Sequence, residues 1–421
     1  MSYEVLDQSR VPEYLSQIPR AVELFGDGDG FDITEIGDGN LNYVYRVARS
    51  GHPERSLILK QAVPFLRVAG EGWPLSRDRM IFEIRSARIY HELVPDFVPE
   101  VYHADEEMSV LVMEDLRDLQ VLRYPMIEGQ TFPNLGKDIG RFLATSLFKT
   151  SYLGMDSIER RRLMQQFNLN DELCKLTEEF IFTFPFVEHD SNYVNPETNA
   201  YALKVFRNDD EYRRRILRFK ELFLSKPDAL SHGDLHTGSL MVGQNSTYVI
   251  DGEFAFLGPF GFDVGKIIAN FLLCYTSHFH HSQESTYQDW LMGECVSIWQ
   301  TFKQEFERLW SQTSNSALLY DGFLTPAEMD IYKQDFMNGI FKDAVGFCAC
   351  SLARRTVGIA GVADIRGIED IKIRTRLEKT NIDLSHLLLM KYDEIADIAQ
   401  LVSLVEDFYS KRNIRTSEGT K

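Results

Sequence analysis

The sequence is poor in the features that mark several large classes of protein. It holds five cysteines in 421 residues (Cys174, Cys274, Cys295, Cys348 and Cys350), an odd number with no C-x-x-C pair. That argues against a disulfide framework and a zinc ribbon and fits reduced thiols in a cytosolic protein, with Cys348-Ala-Cys350 serving as core packing. Positive charge is also short. The 45 Lys and Arg stand against 63 Asp and Glu, a net charge of −18, so a nucleic-acid backbone or an anionic membrane surface would repel most of the molecule. No run is apolar enough to span a bilayer: the longest uncharged stretch, between Lys266 and Glu284, contains Asn270, Thr276, Ser277 and three histidines and reads as a buried helix. The opening MSYEVLDQSRVPEYL shows no basic stretch leading into an apolar one, so no export is expected and the expected location is cytoplasmic. There is no internal repeat and no low-complexity tract, and the last eleven residues look like a polar, frayed tail.

Hydrophobic residues at 44% and aromatics at 12% supply ample core material, and the length favours two or three domains. Residues 31–36, 42–48 and 57–63 alternate in the manner of strands, with Gly-containing turns between them. A helical stripe follows from Ser76 to Leu93, stopped by Val94-Pro95. Residues 98–102 and 109–113 flank the acidic turn Asp105-Glu106-Glu107 and read as a hairpin returning to the same antiparallel sheet. Past Glu114-Asp115-Leu116 the pattern becomes helical over 135–152, 170–182 and 209–223. One compact strand-like segment, 229–262, interrupts it, and helices resume from Lys266 onward. The chain is therefore expected to divide into a β-rich lobe, 1–116, and a larger helical lobe, 117–421.

Candidate chemistry concentrates in two places of the larger lobe. In His232-Gly-Asp-Leu-His-Thr-Gly-Ser239, His232, Asp234 and His236 alternate and would share a face of an extended chain. They suit either a metal cluster of a hydrolase or a catalytic loop in which Asp234 accepts a hydroxyl proton while the histidines brace it. In Tyr248-Val-Ile-Asp-Gly-Glu253 an apolar strand delivers Asp251 and Glu253, oxygen donors of the kind Mg²⁺ takes; a solvated strand end is the plainer reading. A hairpin between the two segments would bring Asp234 and Asp251 together.

In the small lobe, Gly37-Asp-Gly-Asn-Leu-Asn42 is a hairpin turn that could also set backbone N–H groups around phosphates. Lys60 ends a strand where it is either an edge residue or a phosphate partner, with Glu83 or Glu92 of the following helix available to orient it. Gly-rich turn, strand Lys, helix Glu, the connection Val110–Leu116, His-Gly-Asp and Asp-x-Glu together give the order of parts of a phosphoryl-transfer kinase.

This set resembles the kinase-like small-molecule phosphotransferases, the family of aminoglycoside, choline and methylthioribose kinases. The loop 232–239 is most similar to that of the methylthioribose kinases, where the aminoglycoside and choline enzymes usually carry Pro and Asn at the Thr237 and Ser239 places. Asp251-Gly-Glu-Phe-Ala-Phe256, Gly258-Pro-Phe-Gly-Phe-Asp-Val-Gly265, Leu59-Lys-Gln-Ala-Val63 and Glu71-Gly-Trp-Pro-Leu-Ser-Arg-Asp-Arg79 extend the likeness over about residues 30 to 360. The resemblance implies an α+β, two-lobed, protein-kinase-like fold with a small antiparallel β lobe and a large, mainly helical lobe. It also implies ATP-dependent phosphorylation of the 1-hydroxyl of methylthioribose, a step of methionine salvage, with ATP and Mg²⁺ as cofactors and a homodimer as the assembly. Carried over, Asn40 and Lys60 bind nucleotide phosphates, and the backbone of Glu114, Asp115 and Leu116 holds adenine. Asp234 is the catalytic base or substrate-orienting acid and touches substrate, while Asp251, Gly252 and Glu253 meet nucleotide and metal, the two carboxylates as metal ligands. Arg354 and Arg355, by composition a surface pair, become substrate arginines, of which helical geometry suggests at most one points straight into a pocket.

Three departures stand beside the likeness. The third Gly of a protein-kinase phosphate loop is missing, Ser239 stands at a metal-binding Asn position, and Asp-Gly-Glu replaces the commoner Asp-Pro-Glu, a change expected to loosen the turn. Trp73, flanked by Gly70 and Gly72, is either a lid or a packed loop, with Ser76 or Asp78 capping the next helix. His278, His280 and His281 read as a helix end near solvent. The rivals are another small-molecule kinase acting on an aminoglycoside, choline or homoserine, a metallohydrolase built on His232, Asp234 and His236, and a kinase-like binding module without activity.

Overall fold

The computed structural model describes residues 3–26, 30–36, 41–65, 72, 74–282 and 285–412. Five strands, β1 (Phe31–Glu35), β2 (Asn42–Arg49), β3 (His52–Ala62), β4 (Val101–Asp105) and β5 (Val110–Glu114), form an antiparallel sheet in the order β1-β2-β3-β5-β4. The strands expected from alternation are all present. β3 begins earlier than the apolar run, because the exposed His52–Arg55 stretch is held extended beside β2. β4 begins at Val101 and not at Val98, since Pro99 has no N–H to give a ladder.

The two-residue period of β3 sorts its side chains. Leu57 and Leu59 are fully buried with Val47, Val110 and Val112 against Val11, Leu15 and Phe25. The last three come from two helices, Val11–Leu15 and Pro19–Phe25, too short to show periodicity and not expected from the sequence. Each such leucine contributes roughly 1.5–3 kcal/mol of burial. Alternation turns Lys60 and Ala62 to the opposite face, where Ala62 packs on Met80, Ile84 and Leu111. Met80 and Ile84 belong to the Arg79–Leu93 helix, which ends at Val94-Pro95 as expected. Its start differs. Asp78 occupies the position before the first turn but makes no capping bond, and Ser76 Oγ accepts the Asp78 N–H at 3.1 Å.

Beyond the sheet the helices Leu135–Lys149, Asp171–Phe182 and Asp210–Ser225 follow the apolar periodicity. The 229–262 segment folds as short pieces: β6 (Gln120–Val121) joins β8 (Leu240–Val242) and β9 (Thr247–Val249) in one small sheet, while β7 (Ala229–Ser231) pairs with β10 (Phe256–Gly258). The β8–β9 pair is the hairpin expected between Asp234 and Asp251. The uncharged run lies in the Gly261–His281 helix, buried along most of its length. It lies close against the Pro326–Val357 helix because it carries Gly261 and Gly265 where they meet. A Cβ at Gly261 would stand 2.6 Å from Ala344 N, and one at Gly265 2.8 Å from Cys348 N. Cys348 and Cys350 are buried and free, as expected.

The histidine tract is not a solvent-facing helix end throughout. His280 and His281 are exposed, but His278 is 1% exposed, bonded through Nε2 to Met126 O and through Nδ1 to Ser282 Oγ. The phosphate turn with Asn40, Trp73 with its candidate lid, and the tail from residue 413 lie outside the described residues. Among the described residues no helix is long and apolar enough to cross a membrane. The architecture is an α+β, two-lobed, protein-kinase-like fold: a small antiparallel sheet followed by a mainly helical lobe.

Candidate active site

Strand β3, the Arg79–Leu93 helix and the turn after β9 converge on one lysine. Lys60 Nζ lies 2.7 Å from Glu83 Oε1 and 2.7 Å from Asp251 Oδ1. Pairing between β2 and β5 makes β3 an interior strand, so Lys60 is no edge residue. Glu92 is exposed, and Glu83 is the helix carboxylate that orients Lys60. Burial opposes the Lys60 charge, but Asp251 and Glu83 outweigh it and raise its pKa. Burial pushes Glu83 up to about 7, with Lys60 pulling back. Desolvation works against the Asp251 carboxylate, yet Lys60 holds it below the usual range.

Asp251 sits in the left-handed region, φ 66° and ψ 52°, a strained conformation that Asp tolerates better than most residues. Its side chain stays 46% exposed while Lys60 and Glu83 are almost fully buried. Gly252 does not loosen this turn. Ser86 Oγ donates to Gly252 O at 3.0 Å, and a Cβ there would strike the same hydroxyl. Glycine therefore serves close approach of the turn to the Arg79–Leu93 helix.

Asp251 and Glu253 take different partners. Glu253 is 5% exposed, its Oε2 accepting from Asn42 Nδ2 at 2.8 Å with Arg79 Nε at 3.9 Å. Asn42 Oδ1 in turn accepts from Arg79 Nε at 3.0 Å. For an oxygen-seeking cation the half-exposed Asp251 carboxylate is the accessible donor and Glu253 the braced one.

The second centre is Asp234. Its Oδ1 lies 2.6 Å from Lys266 Nζ, 3.4 Å from Arg355 Nη2 and 3.9 Å from Arg354 Nη1, and its Oδ2 lies 3.3 Å from His236 Nε2. Burial disfavours the charge, but Lys266, His236 and Arg355 hold its pKa well below the usual carboxylate range. Both arginines of the helix end reach this one carboxylate, Arg355 more closely than Arg354. Arg355 also donates to Ala360 O, and Arg354 Nε and Nη1 and Arg355 Nε have no hydrogen-bond partner.

The two loop histidines do not form a metal set. His232 Nε2 lies 2.8 Å from Ile250 O and its Nδ1 accepts the Asp234 N–H. His236 Nδ1 accepts the Gly238 N–H at 2.8 Å, which assigns the proton to Nε2 and makes that nitrogen the donor to Asp234. Burial and Arg355 push its pKa down to about 3, so the ring is neutral. Among the described residues no group of three or more His, Cys, Asp or Glu is arranged to hold a metal.

Other side chains complete the loop. Asp263 accepts the N–H groups of His232 at 2.6 Å and Gly233 at 3.2 Å, and Ser239 Oγ donates within the loop, to Asp234 O or His236 O. Arg123 Nη2 lies 3.4 Å from His236 Nδ1. Asp263 stood inside a motif already noticed. Asn42 and Arg79 likewise closed motifs already quoted, whereas Lys266 and Arg123 carried no sequence signal of their own.

The connection between lobes is partly engaged. The Glu114 N–H donates to Glu100 O at 2.9 Å, and Leu116 O accepts from the Leu119 N–H. The Asp115 side chain, 2% exposed, binds Arg46 and Ser56, anchoring the segment to the sheet. The Glu114 N–H is thus already used and is no free donor to adenine. A cavity of about 440 Å³, lined by Phe182, Ile216 and Leu217 among others, shares no residue with either centre.

Residues 32–295 match the family described as phosphotransferase enzyme family. The chain is 39% identical over 382 residues, 90% of its length and 91% of the relative's, to a methylthioribose kinase of Geobacillus sp. (strain WCH70). It is 40% identical over 372 residues, 88% and 90% of the two chains, to a methylthioribose kinase of Geobacillus thermodenitrificans (strain NG80-2). Among solved structures, choline kinase from Cryptosporidium parvum Iowa II is similar at 12% identity and TM-score 0.47, covering 95% of this chain and 100% of that one.

Proposed function

The chain belongs to the phosphotransferase enzyme family and, within it, to the methylthioribose kinases, and on that premise we propose how its residues divide the reaction. The enzyme phosphorylates methylthioribose with ATP, the methionine-salvage step that the names of its relatives imply. The acceptor is the 1-hydroxyl, and transfer is direct and in line. The new bond forms between that oxygen and the γ-phosphorus as the bond to the β,γ-bridging oxygen breaks, and the hydroxyl proton passes to Asp234 and then to water.

The observation that carries this reading is the Asp234 carboxylate ringed by Lys266, Arg354 and Arg355. Asp263 offsets Lys266 and Asp364 offsets Arg355 in part, but three cations meet at the Asp234 carboxylate itself, an environment matched to a neutral sugar that becomes a phosphate and unsuited to the cationic choline or aminoglycosides. A carboxylate held so acidic is a weak base. It orients the hydroxyl and takes its proton late, which a loose phosphoryl-transfer transition state permits. Arg354 and Arg355 between them hydrogen-bond the sugar hydroxyls and meet the charge that develops on the transferred group. With both nitrogens of His232 and His236 engaged, the hydrolase rival loses its ligands.

Lys60 binds the nucleotide phosphates together with Asn40. Adenine lies along Glu114, Asp115 and Leu116 without using the Glu114 N–H. Asp251 is the carboxylate available to Mg²⁺, Gly252 fixes its turn and Glu253 braces the site; the ion, when bound, neutralises phosphate charge. Residues 1–116 form the nucleotide lobe and residues 117–421 the catalytic and substrate lobe. The assembly is a cytoplasmic homodimer.

The test is ADP formation with Mg-ATP across methylthioribose, ribose, choline, homoserine and an aminoglycoside. Turnover confined to methylthioribose, abolished in Asp234→Ala with ATP binding kept, is the expected result. Turnover on another acceptor, or a tenth or more of activity in the variant, overturns the substrate or the Asp234 role respectively.

A further inference from the structure

Lys266 is 2% exposed, yet its ammonium donates to two points of the catalytic loop, Gly233 O at 2.7 Å and Asp234 Oδ1 at 2.6 Å. Burying an ammonium is costly unless it is well paired, and core packing alone has no need of a charge there. The same helix carries Asp263 one turn earlier, and Asp263 accepts the N–H groups of His232 and Gly233. One helix face thus grips the loop through a carboxylate on its donors and an ammonium on its acceptors.

The grip distinguishes the two oxygens of Asp234. Oδ1 faces Lys266, Arg355 and Arg354, whereas Oδ2 faces His236 Nε2 at 3.3 Å. Oδ2 is the oxygen with acceptor capacity left for a hydroxyl. We propose that Lys266 is a positioning residue for phosphoryl transfer: by binding Oδ1 and Gly233 O, it fixes the Asp234 carboxylate, charged, with Oδ2 toward the substrate hydroxyl. This rests on the role given to Asp234 above.

The groups that face Lys266 are Asp234 and Gly233 O from the loop, Asp263 and the Phe262 ring, 5.2 Å away, from its own helix, and Arg354 and Arg355 from the Pro326–Val357 helix. Burial and the two arginines depress the lysine to about 8, with Asp234 opposing them, so it is largely charged at neutral pH.

The experiment compares wild type, Lys266→Met, Lys266→Gln, Lys266→Arg and Asp234→Asn in steady-state assays with methylthioribose and Mg-ATP from pH 3 to 9, a range that reaches the Asp234 titration, with unfolding followed in parallel. Removing the cation raises the Asp234 pKa, so the base form is lost at higher pH as acid is added. Lys266→Met and Lys266→Gln are expected to lower kcat about a hundredfold, to leave KM for ATP within about threefold, and to move the acid limb of kcat/KM up by about one pH unit or more. Lys266→Arg keeps the acid limb where wild type has it, whatever its kcat. A residue that merely held the fold together would not move that limb. A Lys266→Met or Lys266→Gln enzyme with the wild-type limb, or with kcat within threefold of wild type, overturns the proposal, as does failure of both neutral variants to fold. Asp234→Asn separates the two claims. If it keeps a tenth of the activity, the reading of Asp234 itself falls; if it is inactive while Lys266→Met is normal, only the role of Lys266 falls.

Discussion

Lys60 Nζ and Asp251 Oδ1 lie 2.7 Å apart across 191 residues of sequence, joining the interior strand of the small lobe to the turn after β9. Glu83 holds the same nitrogen from the other side. Two carboxylates on one ammonium leave a negative surplus, which must be redistributed when nucleotide phosphates and their cation enter. Asp251, the exposed member, is the partner that can turn to the cation while Glu83 keeps the lysine aligned.

Lys60→Met should therefore damage the nucleotide side of the reaction alone. A fall of about 10²–10³ in kcat/KM for ATP is expected, the size of losing one preorganised charge at a transferring group. KM for methylthioribose should stay within about threefold, and initial-rate kinetics with each substrate varied separates the two. A loss confined to methylthioribose would refute the assignment.

The bond between Asn42 and Glu253 supports a stability prediction. Asn42→Ala leaves the Glu253 Oε2 atom without its 2.8 Å donor and Arg79 Nε without its 3.0 Å acceptor, in a pocket where both side chains are nearly fully buried. Stranding such groups costs roughly 1–3 kcal/mol, read as a lower urea midpoint at unchanged slope. A single variant within about 0.5 kcal/mol of wild type would show that the contact carries no weight.

How much of this was legible beforehand depends on how local the signal is. The β8–β9 hairpin is written in adjacent residues, so the turn of chain between Asp234 and Asp251 could be read from spacing alone. Lys60 was legible as a candidate, but Glu83 and Glu92 lie on one helix and only packing chooses Glu83. Lys266 was read as the boundary of an uncharged run; its partner is 32 residues earlier, and no period or propensity encodes that contact. The N-terminal helices, five and seven residues long, have too few turns to display a stripe. Gly252 was misread as freedom because its crowding comes from Ser86, a residue on another element.

His236 should make the fold acid-sensitive. Its folded pKa is pushed down to about 3, by burial first and Arg355 next, whereas an unfolded histidine titrates near 6.5. Between those values the unfolded chain binds the extra proton. The contribution is thus whole above pH 6.5 and is lost as pH falls, by about 2 kcal/mol at pH 5. His236→Asn, which keeps a donor for Asp234, should flatten the fall in unfolding free energy between pH 6.5 and 5 by that amount. An unchanged slope of unfolding free energy against pH would mean that the folded His236 pKa is not depressed.

Arg354 and Arg355 should separate kinetically although they are neighbours in sequence. Consecutive helical residues diverge by about 100°, so two long guanidinium chains reach one carboxylate only by approaching it from either side. Arg355 is 6% exposed and tied to Ala360 O, and its Nη2 lies 3.4 Å from Asp234 Oδ1. Arg354 lies farther from that oxygen, at 3.9 Å, is 14% exposed, and has Nε and Nη1 without hydrogen-bond partners. Arg354, with two donors unpartnered against Nε alone on Arg355, is the residue that waits for a ligand, and Arg355, closer to Asp234, is the residue that holds the acid. Arg354→Gln should raise KM for methylthioribose about tenfold or more with a smaller change in kcat, and Arg355→Gln should lower kcat with a smaller change in KM. Burial and Asp234 act on both, but guanidinium groups stay protonated at any working pH, so the contrast should persist from pH 6 to 9. The reverse pattern would exchange the two roles and make Arg355 the residue that meets the sugar.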